Sequence, residues 1–550
     1  MHIRLVLVGL SGTGKSTICR KVASRLSWQA LDIDTMIEER AGKSIREIFS
    51  QDGEEAFRGM ERKLLSECLA LDHVVIATGG GAVIREEVWT TKLLAGSSTL
   101  VVHLDATSDV IVTRLCGQAA VDGRRAERPL LAEGNPLDKI DAQREARDLF
   151  YRRADISLDV GGRTIEAIAN DLAELVALAE GNPSRVALTT TSSPSRIDIG
   201  PGVRHQVGAT IRDHWPRVGR VWVCVDENLH LALDQEVTKV LGLDGLDARV
   251  IKVAPGESSK SVSGVGRLWD WLLESGVDRS DVLVAFGGGV VGDLAGFAAA
   301  TVLRGIGFVQ VPSTLLSMVD SSVGGKTGVN HPTGKNLIGS FYQPARVVVD
   351  TELLRTLPDR EFRSGWAEVI KHGVIESSTP HGEGGVLLDI LERNREALLR
   401  KDVPLLPWVI RRNISLKAAV VKADEREANM RAILNFGHTI GHGIEASGYR
   451  LFHGEAVAVG MVAALNIAVQ TGRMDETQAQ RIVRLIDAFD LPTTAIAEPG
   501  AVRNHMAHDK KKSGGKQLWV LPSLGGTMTT ETGISDDVID QAIAAVVRPR

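Results

Sequence analysis

The chain has 550 residues, 43% of them hydrophobic, and its 64 Lys and Arg against 69 Asp and Glu leave a net charge of −5. That length predicts about three or four domains with sizeable cores, and the slight acidity argues against nucleic acid or an anionic membrane as the main partner. The cysteines Cys19, Cys68, Cys116 and Cys224 are widely spaced without a CxxC pair, no apolar run approaches a membrane span, and a strand begins at Ile3. A cytoplasmic protein with reduced thiols and no leader is therefore expected.

In chain order, Ile3 to Val8 reads as a buried strand, and Ser16 to Leu26 can be helical. Between them lies Gly9-Leu10-Ser11-Gly12-Thr13-Gly14-Lys15-Ser16, followed by Thr17. Strand, Gly-rich turn and helix make a phosphate loop. Backbone N–H groups wrap a β-phosphate, Lys15 bridges the β- and γ-phosphates, and Ser16 holds Mg²⁺. A nucleoside triphosphate is the expected ligand, but the phosphate acceptor must come from other residues. Asp32 and Asp34 share a face of an extended segment, so one carboxylate can reach the Mg²⁺ shell while the other meets a substrate hydroxyl. Arg58, on the predicted helix Glu54 to Leu65, and Arg147 offer planar forks for a carboxylate, and Gly79-Gly80-Gly81 lets backbone approach a small ligand. Arg128 sits in the Arg-rich segment 123–131, which reads as a mobile lid.

Strands such as Val74 to Ala77 and Thr99 to Leu104 alternate with helical stretches, the mark of an α/β fold. The Gly/Pro/Ser/Thr-rich stretch 181–194 predicts a linker between a first domain, 1–180, and the remainder of the chain. Alternation resumes over 195–354, with strands at Arg220 to Val225, Asp281 to Phe286 and Gly307 to Pro312, and the pattern over 355–550 becomes mainly helical. Gly287-Gly288-Gly289-Val290-Val291-Gly292-Asp293 follows a strand and fits a dinucleotide-binding turn. The acid expected about 20 residues later is missing, so the ribose partner passes to Asp226. The turn Pro255 to Lys260 could also reach the cofactor, and Lys326 and Lys335 put two ammonium groups near one loop, which suits an anionic substrate.

His438 and His442 stand at i, i+4 on a helix face, with Thr439 where a zinc peptidase needs Glu. Glu368 and His453 can complete a Glu/His/His set for an ion such as Zn²⁺. Spacing alone does not decide between His442 and His453.

These strings carry two resemblances. Residues 1–178 resemble shikimate kinase, through Gly9 to Thr17, Asp32-Ile33-Asp34, Gly53-Glu54 with Phe57-Arg58, the triple glycine, Arg128-Pro129-Leu130-Leu131 and Arg147 to Tyr151. The resemblance implies a P-loop kinase with a parallel sheet that transfers phosphate from ATP, with Mg²⁺, to shikimate. Asp34, Arg58, Gly80 and Arg147 would bind shikimate, and Arg128 would close over the ATP phosphates. Leu149 stands where the family usually has proline, and the lid is longer.

Residues from about 195 to 545 resemble 3-dehydroquinate synthase, through Pro255-Gly256-Glu257, Gly287 to Asp293, Asp320 to Thr327, Ala367 to Lys371, Asp424 to Glu427, Asn435 to His442 and His453 to Val457. This implies an α/β NAD-binding domain and a helical metal-binding domain that convert 3-deoxy-D-arabino-heptulosonate 7-phosphate to 3-dehydroquinate and phosphate, with NAD regenerated each turnover. Glu368, His438 and His453 would hold Zn²⁺ or Co²⁺. His442 would instead contact substrate and, with Lys371, Arg431 and Asn435, serve catalysis, while Asp320, Lys326, Asn336, Lys417 and Lys510 would bind substrate. Asp226, Asn228, Glu257, Lys260, Gly289 to Asp293, Ser313, Thr314 and Lys335 would hold NAD, Ser313 replacing a common threonine. Arg304 would reach the phosphate end from a neighbouring subunit, making a homodimer. A metal-dependent polyol dehydrogenase of the same fold is the rival reading, disfavoured by the lysine array; a catalytically dead scaffold is disfavoured by Lys15, Asp34, Glu368, His438 and His453.

Overall fold

The computed structural model describes residues 3–122, 135–229, 231–401, 403–447, 451–508, 512–513 and 516–549. Two compact units divide the chain. One comprises Met1–Asn182 with Glu392–Ala397 and Val403–Leu405, and the other Pro183–Leu391, Leu398–Asp402 and Leu406–Arg550. No helix among the described residues is long and apolar enough to cross a membrane.

The first unit is built on five parallel strands, β1 (Arg4–Val8), β2 (Gln29–Asp32), β3 (Val74–Ala77), β4 (Thr99–Asp105) and β5 (Ile156–Asp159), in the order β2-β3-β1-β4-β5. β1 is central, Leu5 facing Val75 on one side and Leu100 on the other. Leu5, Val6 and Leu7 are each 0% exposed, which is why this strand is continuously apolar rather than alternating. Parallel strands bring their carboxyl ends to one edge. The phosphate loop after β1, the acids at the end of β2 and the triple glycine after β3 are therefore neighbours.

The second unit carries a seven-stranded sheet of β6 (Ser184–Thr189), β7 (Pro194–Gly200), β8 (Arg220–Asp226), β9 (Asp247–Val253), β10 (Val282–Gly287), β11 (Gly307–Pro312) and β14 (Arg346–Asp350). The order is β6-β7-β14-β11-β10-β8-β9, antiparallel only between β6 and β7. The chain runs outward from β8 to β9, then returns to the other side of β8 as β10, so the sheet reverses direction between β8 and β10. β12 (Lys326–His331) and β13 (Gly334–Phe341) form a separate hairpin.

Two sequence expectations are corrected here. The predicted linker 181–194 is for the most part structured: β6 is the sheet's edge strand, and Thr190 to Ser193 form the turn into β7. The turn hydroxyls of Thr191 and Ser192 donate to Glu425, which accounts for the polar composition. Lys326 and Lys335 do not share a loop. They stand at opposite ends of the hairpin, Lys326 opening β12 and Lys335 beside the turn where His331 faces Gly334.

Asp350 shows how β14 is anchored. Fully buried, it accepts from the backbone N–H groups of Gly202, Arg204 and Glu352 and from the Arg204 guanidinium at 2.7 Å. Asp350→Ala strands the three backbone donors and leaves Arg204 only Glu352 and Glu236, and should cost about 3–5 kcal/mol. A lowered denaturant midpoint for the second unit, with that of the first unchanged, is the expected result.

Beyond β14 the unit is mainly helical, with helices Asp359–Ile375, Leu405–Ala423, His438–Ala446 and His453–Gln470 forming its heart. His453–Gln470 is apolar on most sides and buried along most of its length. A Cβ on Gly460 would collide with the Gly437 carbonyl oxygen and lie 3.0 Å from Gly441 Cα. Only glycine permits that approach, which sets the His438 helix directly against the His453 helix.

Candidate active sites

In the first unit, Gly14 caps the helix Lys15–Leu26 at φ 91°, a left-handed conformation suited to glycine. Thr13 and Lys15 are buried, whereas Gly12 and Gly14 are half-buried and Ser16 and Thr17 exposed at the helix start. The Lys15 ammonium donates to the carbonyls of Gly9 and Leu10, each at 2.8 Å, and so is held inside the loop that would take a phosphate. Asp32 caps the helix Ile33–Ala41 through the Thr35 N–H at 3.3 Å, and Asp34 lies in its first turn.

The triple glycine gathers the other predicted groups. A Cβ on Gly79 would meet Asp34 Oδ1 at 2.7 Å, and one on Gly81 would run into Arg58 Nη2. Arg147 Nη1 donates to the Gly80 carbonyl at 2.7 Å, and Tyr151 Oη donates to the same oxygen at 2.8 Å. Arg58 is buried and pairs with Glu61 at 2.7 Å; burial raises the Glu61 pKa, against the pull of Arg58. Sequence patterns alone give neither Glu61 nor Tyr151 a role. The one available signal is the i, i+3 spacing of Glu61 from Arg58. Arg128 lies outside the described residues.

In the second unit, Asp226 ends β8 and Gly287 ends β10 at the point where strand order reverses, the place where open α/β sheets bind nucleotides. A Cβ on Gly287 would touch Asp226 Cβ at 3.1 Å, and one on Gly288 would touch Thr314 Cγ2 at 3.3 Å. The Ser313 N–H donates to the Gly287 carbonyl at 2.9 Å. Gly289, Val290, Val291, Gly292 and Asp293 open the helix Gly289–Thr301, while Asn228 is exposed after β8 with its N–H donating to Asp226 at 2.9 Å. Lys260 joins Asp293 to Asn336, and Glu257 accepts from Asn330 at 2.7 Å, so the turn at 257–260 does reach the hairpin.

The predicted metal set is drawn from three helices. Glu368, fully buried in Asp359–Ile375, places Oε1 3.5 Å from His438 Nε2 and 3.7 Å from His453 Nε2, beyond hydrogen-bond reach of either. The other ring nitrogens are engaged: His438 Nδ1 is 3.1 Å from the Phe436 carbonyl, and His453 Nδ1 is 3.3 Å from Glu445 Oε2. The two Nε2 atoms and the buried Glu368 carboxylate therefore cluster around one point. A divalent cation fits this donor set. Burial opposes a charge on His453, yet Glu368 and Glu445 raise its pKa to about 10, a proton that a dication would displace. Burial and Lys371 keep His438 neutral. His442, its ring 5.2 Å from that of His438, faces a cavity with Asn435, His438, Thr439, Gln517, Leu518 and Val520.

The predicted substrate groups lie around this set. Lys371 pairs with Glu368, and Asp320 is shared by Lys371 at 3.9 Å and Lys417 at 2.5 Å. Burial pulls the Lys417 pKa down to about 8, although Asp320 supports its charge. Arg431 is buried and donates to the carbonyls of Glu425 and Gly324, at 2.5 and 3.0 Å. Glu427, at φ 60°, joins Lys326 at 2.5 Å to the Asn435 amide at 3.0 Å. Its left-handed backbone marks it as strained, a conformation rarely adopted without glycine or asparagine. Sequence patterns give Glu427 no role of its own, although it lies in the matched string Asp424 to Glu427. Lys335 pairs with Glu445 at 2.7 Å, Asn336 adopts φ 55°, and Arg304 is exposed at φ 66° after the helix Gly289–Thr301. Lys510 lies outside the described residues.

Comparison with known proteins assigns each unit. The shikimate kinase family model matches residues 11–177, and the N- and C-terminal models of 3-dehydroquinate synthase match 250–364 and 365–512. The 3-dehydroquinate synthase of Symbiobacterium thermophilum is 43% identical over 356 residues, covering 64% of this chain and 98% of that protein. A solved 2-deoxy-scyllo-inosose synthase, complexed with carbaglucose-6-phosphate, NAD⁺ and Co²⁺, is 25% identical with a TM-score of 0.58, covering 66% of this chain and 100% of its own. The 2-epi-5-epi-valiolone synthase of Streptomyces hygroscopicus, with NAD⁺ and Zn²⁺ bound, shares the fold at 24% identity and a TM-score of 0.59, covering 66% of this chain and 99% of its own. The chain thus belongs to the 3-dehydroquinate synthase family and also carries a shikimate kinase domain, which makes it a bifunctional enzyme of the shikimate pathway.

Proposed function

We propose that the first unit phosphorylates shikimate through the groups gathered at the carboxyl edge of its sheet. Lys15 and the N–H groups of Gly12, Thr13 and Gly14 hold the ATP phosphates, Thr17 lies beside them, and Ser16 with Asp32 holds Mg²⁺. Asp34 orients the acceptor hydroxyl and takes its proton. Arg58 and Arg147 grip the shikimate carboxylate, and Gly80 backs the ring.

The second unit converts 3-deoxy-D-arabino-heptulosonate 7-phosphate to 3-dehydroquinate. The observation that carries its site is the buried Glu368 oxygen facing the Nε2 atoms of two imidazoles. Glu368, His438 and His453 hold Zn²⁺ or Co²⁺, and the crevice from Asp226 to Thr314 holds NAD. When bound, the metal supplies a Lewis acid and NAD a reversible hydride acceptor. Lys371, Lys417 and Arg431 neutralise substrate anions, Lys326 and Asn336 meet them from the hairpin, and Asn435 and His442 bind hydroxyls. Glu427, paired with Lys326 and the Asn435 amide, holds those two groups together. Phosphate should be released without accumulation of NADH; stoichiometric NADH would instead indicate a polyol dehydrogenase.

The exposed Arg304 completes the phosphate pocket of a second copy. Arg304→Ala removes a charge-assisted contact worth about 1.5–3 kcal/mol, roughly 10- to 150-fold in kcat/KM. Mixed dimers with Glu368→Ala should regain activity, because one of their two pockets combines intact metal ligands with an intact arginine. Verified mixed dimers that stay inactive would refute the shared pocket.

A further inference from the structure

Of the two histidines facing Glu368, His438 satisfies Nδ1 locally, on the carbonyl of Phe436. His453 does not. Its Nδ1 meets Glu445 Oε2 at 3.3 Å, and Glu445 Oε1 accepts the Lys335 ammonium at 2.7 Å. Glu445 lies on the helix His438–Ala446, seven residues and about two turns past His438, hence on the same face. Lys335 lies on β13, beside the hairpin turn and next to Asn336.

We propose that Glu445 is a positioning residue that aims His453 at the metal and, through Lys335, ties the β12–β13 hairpin to the metal set. A neutral imidazole has one donor and one acceptor nitrogen. A carboxylate at Nδ1 fixes the proton there, turns the Nε2 lone pair toward Glu368, and locks the ring plane. The second carboxylate oxygen is committed to a lysine on another element, so His453 cannot rotate without disturbing the hairpin. That hairpin also carries Lys326 and Asn336, so metal occupancy is conveyed to the strand pair that meets the substrate. The inference rests on Glu368, His438 and His453 being the metal ligands.

The test uses the full-length protein stripped of metal and probed with Co²⁺ alone. Chelator competition gives the affinity, the visible spectrum of bound Co²⁺ reports ligand geometry, and hydrogen exchange over residues 326–341 reports the hairpin. Glu445→Gln should weaken Co²⁺ binding about 10- to 100-fold and shift the spectrum. Co²⁺ should slow exchange of the hairpin in the wild type but not in Glu445→Gln or Lys335→Met, and Lys335→Met should keep the wild-type spectrum. Wild-type affinity and spectrum in Glu445→Gln, or a hairpin blind to Co²⁺ in the wild type, would overturn the proposal. Glu368→Ala separates the two readings. Unchanged Co²⁺ binding there means the metal set is wrong; binding lost there but intact in Glu445→Gln condemns only the role of Glu445. If Glu445→Gln does not fold, Lys335→Met decides, because hairpin protection by Co²⁺ surviving in it breaks the tie.

Discussion

Lys15→Ala should lower shikimate phosphorylation by roughly 100- to 1,000-fold, as expected on removing a preorganised donor from developing charge, and leave dehydroquinate formation untouched. The ammonium is already positioned by the Gly9 and Leu10 carbonyls, so its electrostatic contribution needs little rearrangement when a phosphate arrives. Asp34→Asn should act likewise, since an amide cannot take the acceptor proton. Both activities are to be measured on the same folded preparation. Loss of dehydroquinate formation in either variant would show that the two sites are not independent.

Removing the metal should have the opposite selectivity. Chelation, or Glu368→Ala, is expected to lower dehydroquinate formation by at least about 1,000-fold, the equivalent of roughly 4 kcal/mol of Lewis-acid stabilisation. Shikimate phosphorylation should persist once Mg²⁺ is resupplied. Added Zn²⁺ or Co²⁺ should restore the chelated wild type but not the variant, whose two histidines lack the carboxylate that completes the set. Full activity in protein shown by elemental analysis to be metal-free would refute the assignment.

The contiguous parts of both sites are legible in the sequence because strand–loop–helix order dictates their geometry: Gly9 to Thr17 after β1, and Gly287 to Asp293 after β10. The metal set is only half legible. Helical spacing relates His438 to His442 but leaves His453 open, and only the fold, through the glycine contact at Gly460, sets Glu368 near both His438 and His453. Glu427 and Glu445 escape notice because their lysine partners come from elements joined only in the fold, as Lys335 is to Glu445, while Glu61 offers only its i, i+3 spacing from Arg58. Reading 181–194 as a linker fails for a related reason. An edge strand exposed on one face, followed by a turn whose hydroxyls serve Glu425, has the composition of a tether without its freedom.

That edge strand decides where the two activities can be separated. A synthase half expressed from residue 195 would lack β6 and present β7's bare N–H and C=O row to other molecules, an invitation to edge-to-edge aggregation. A cut between Asn182 and Pro183, where the first unit's continuous stretch ends, leaves β6 in place and β7 paired.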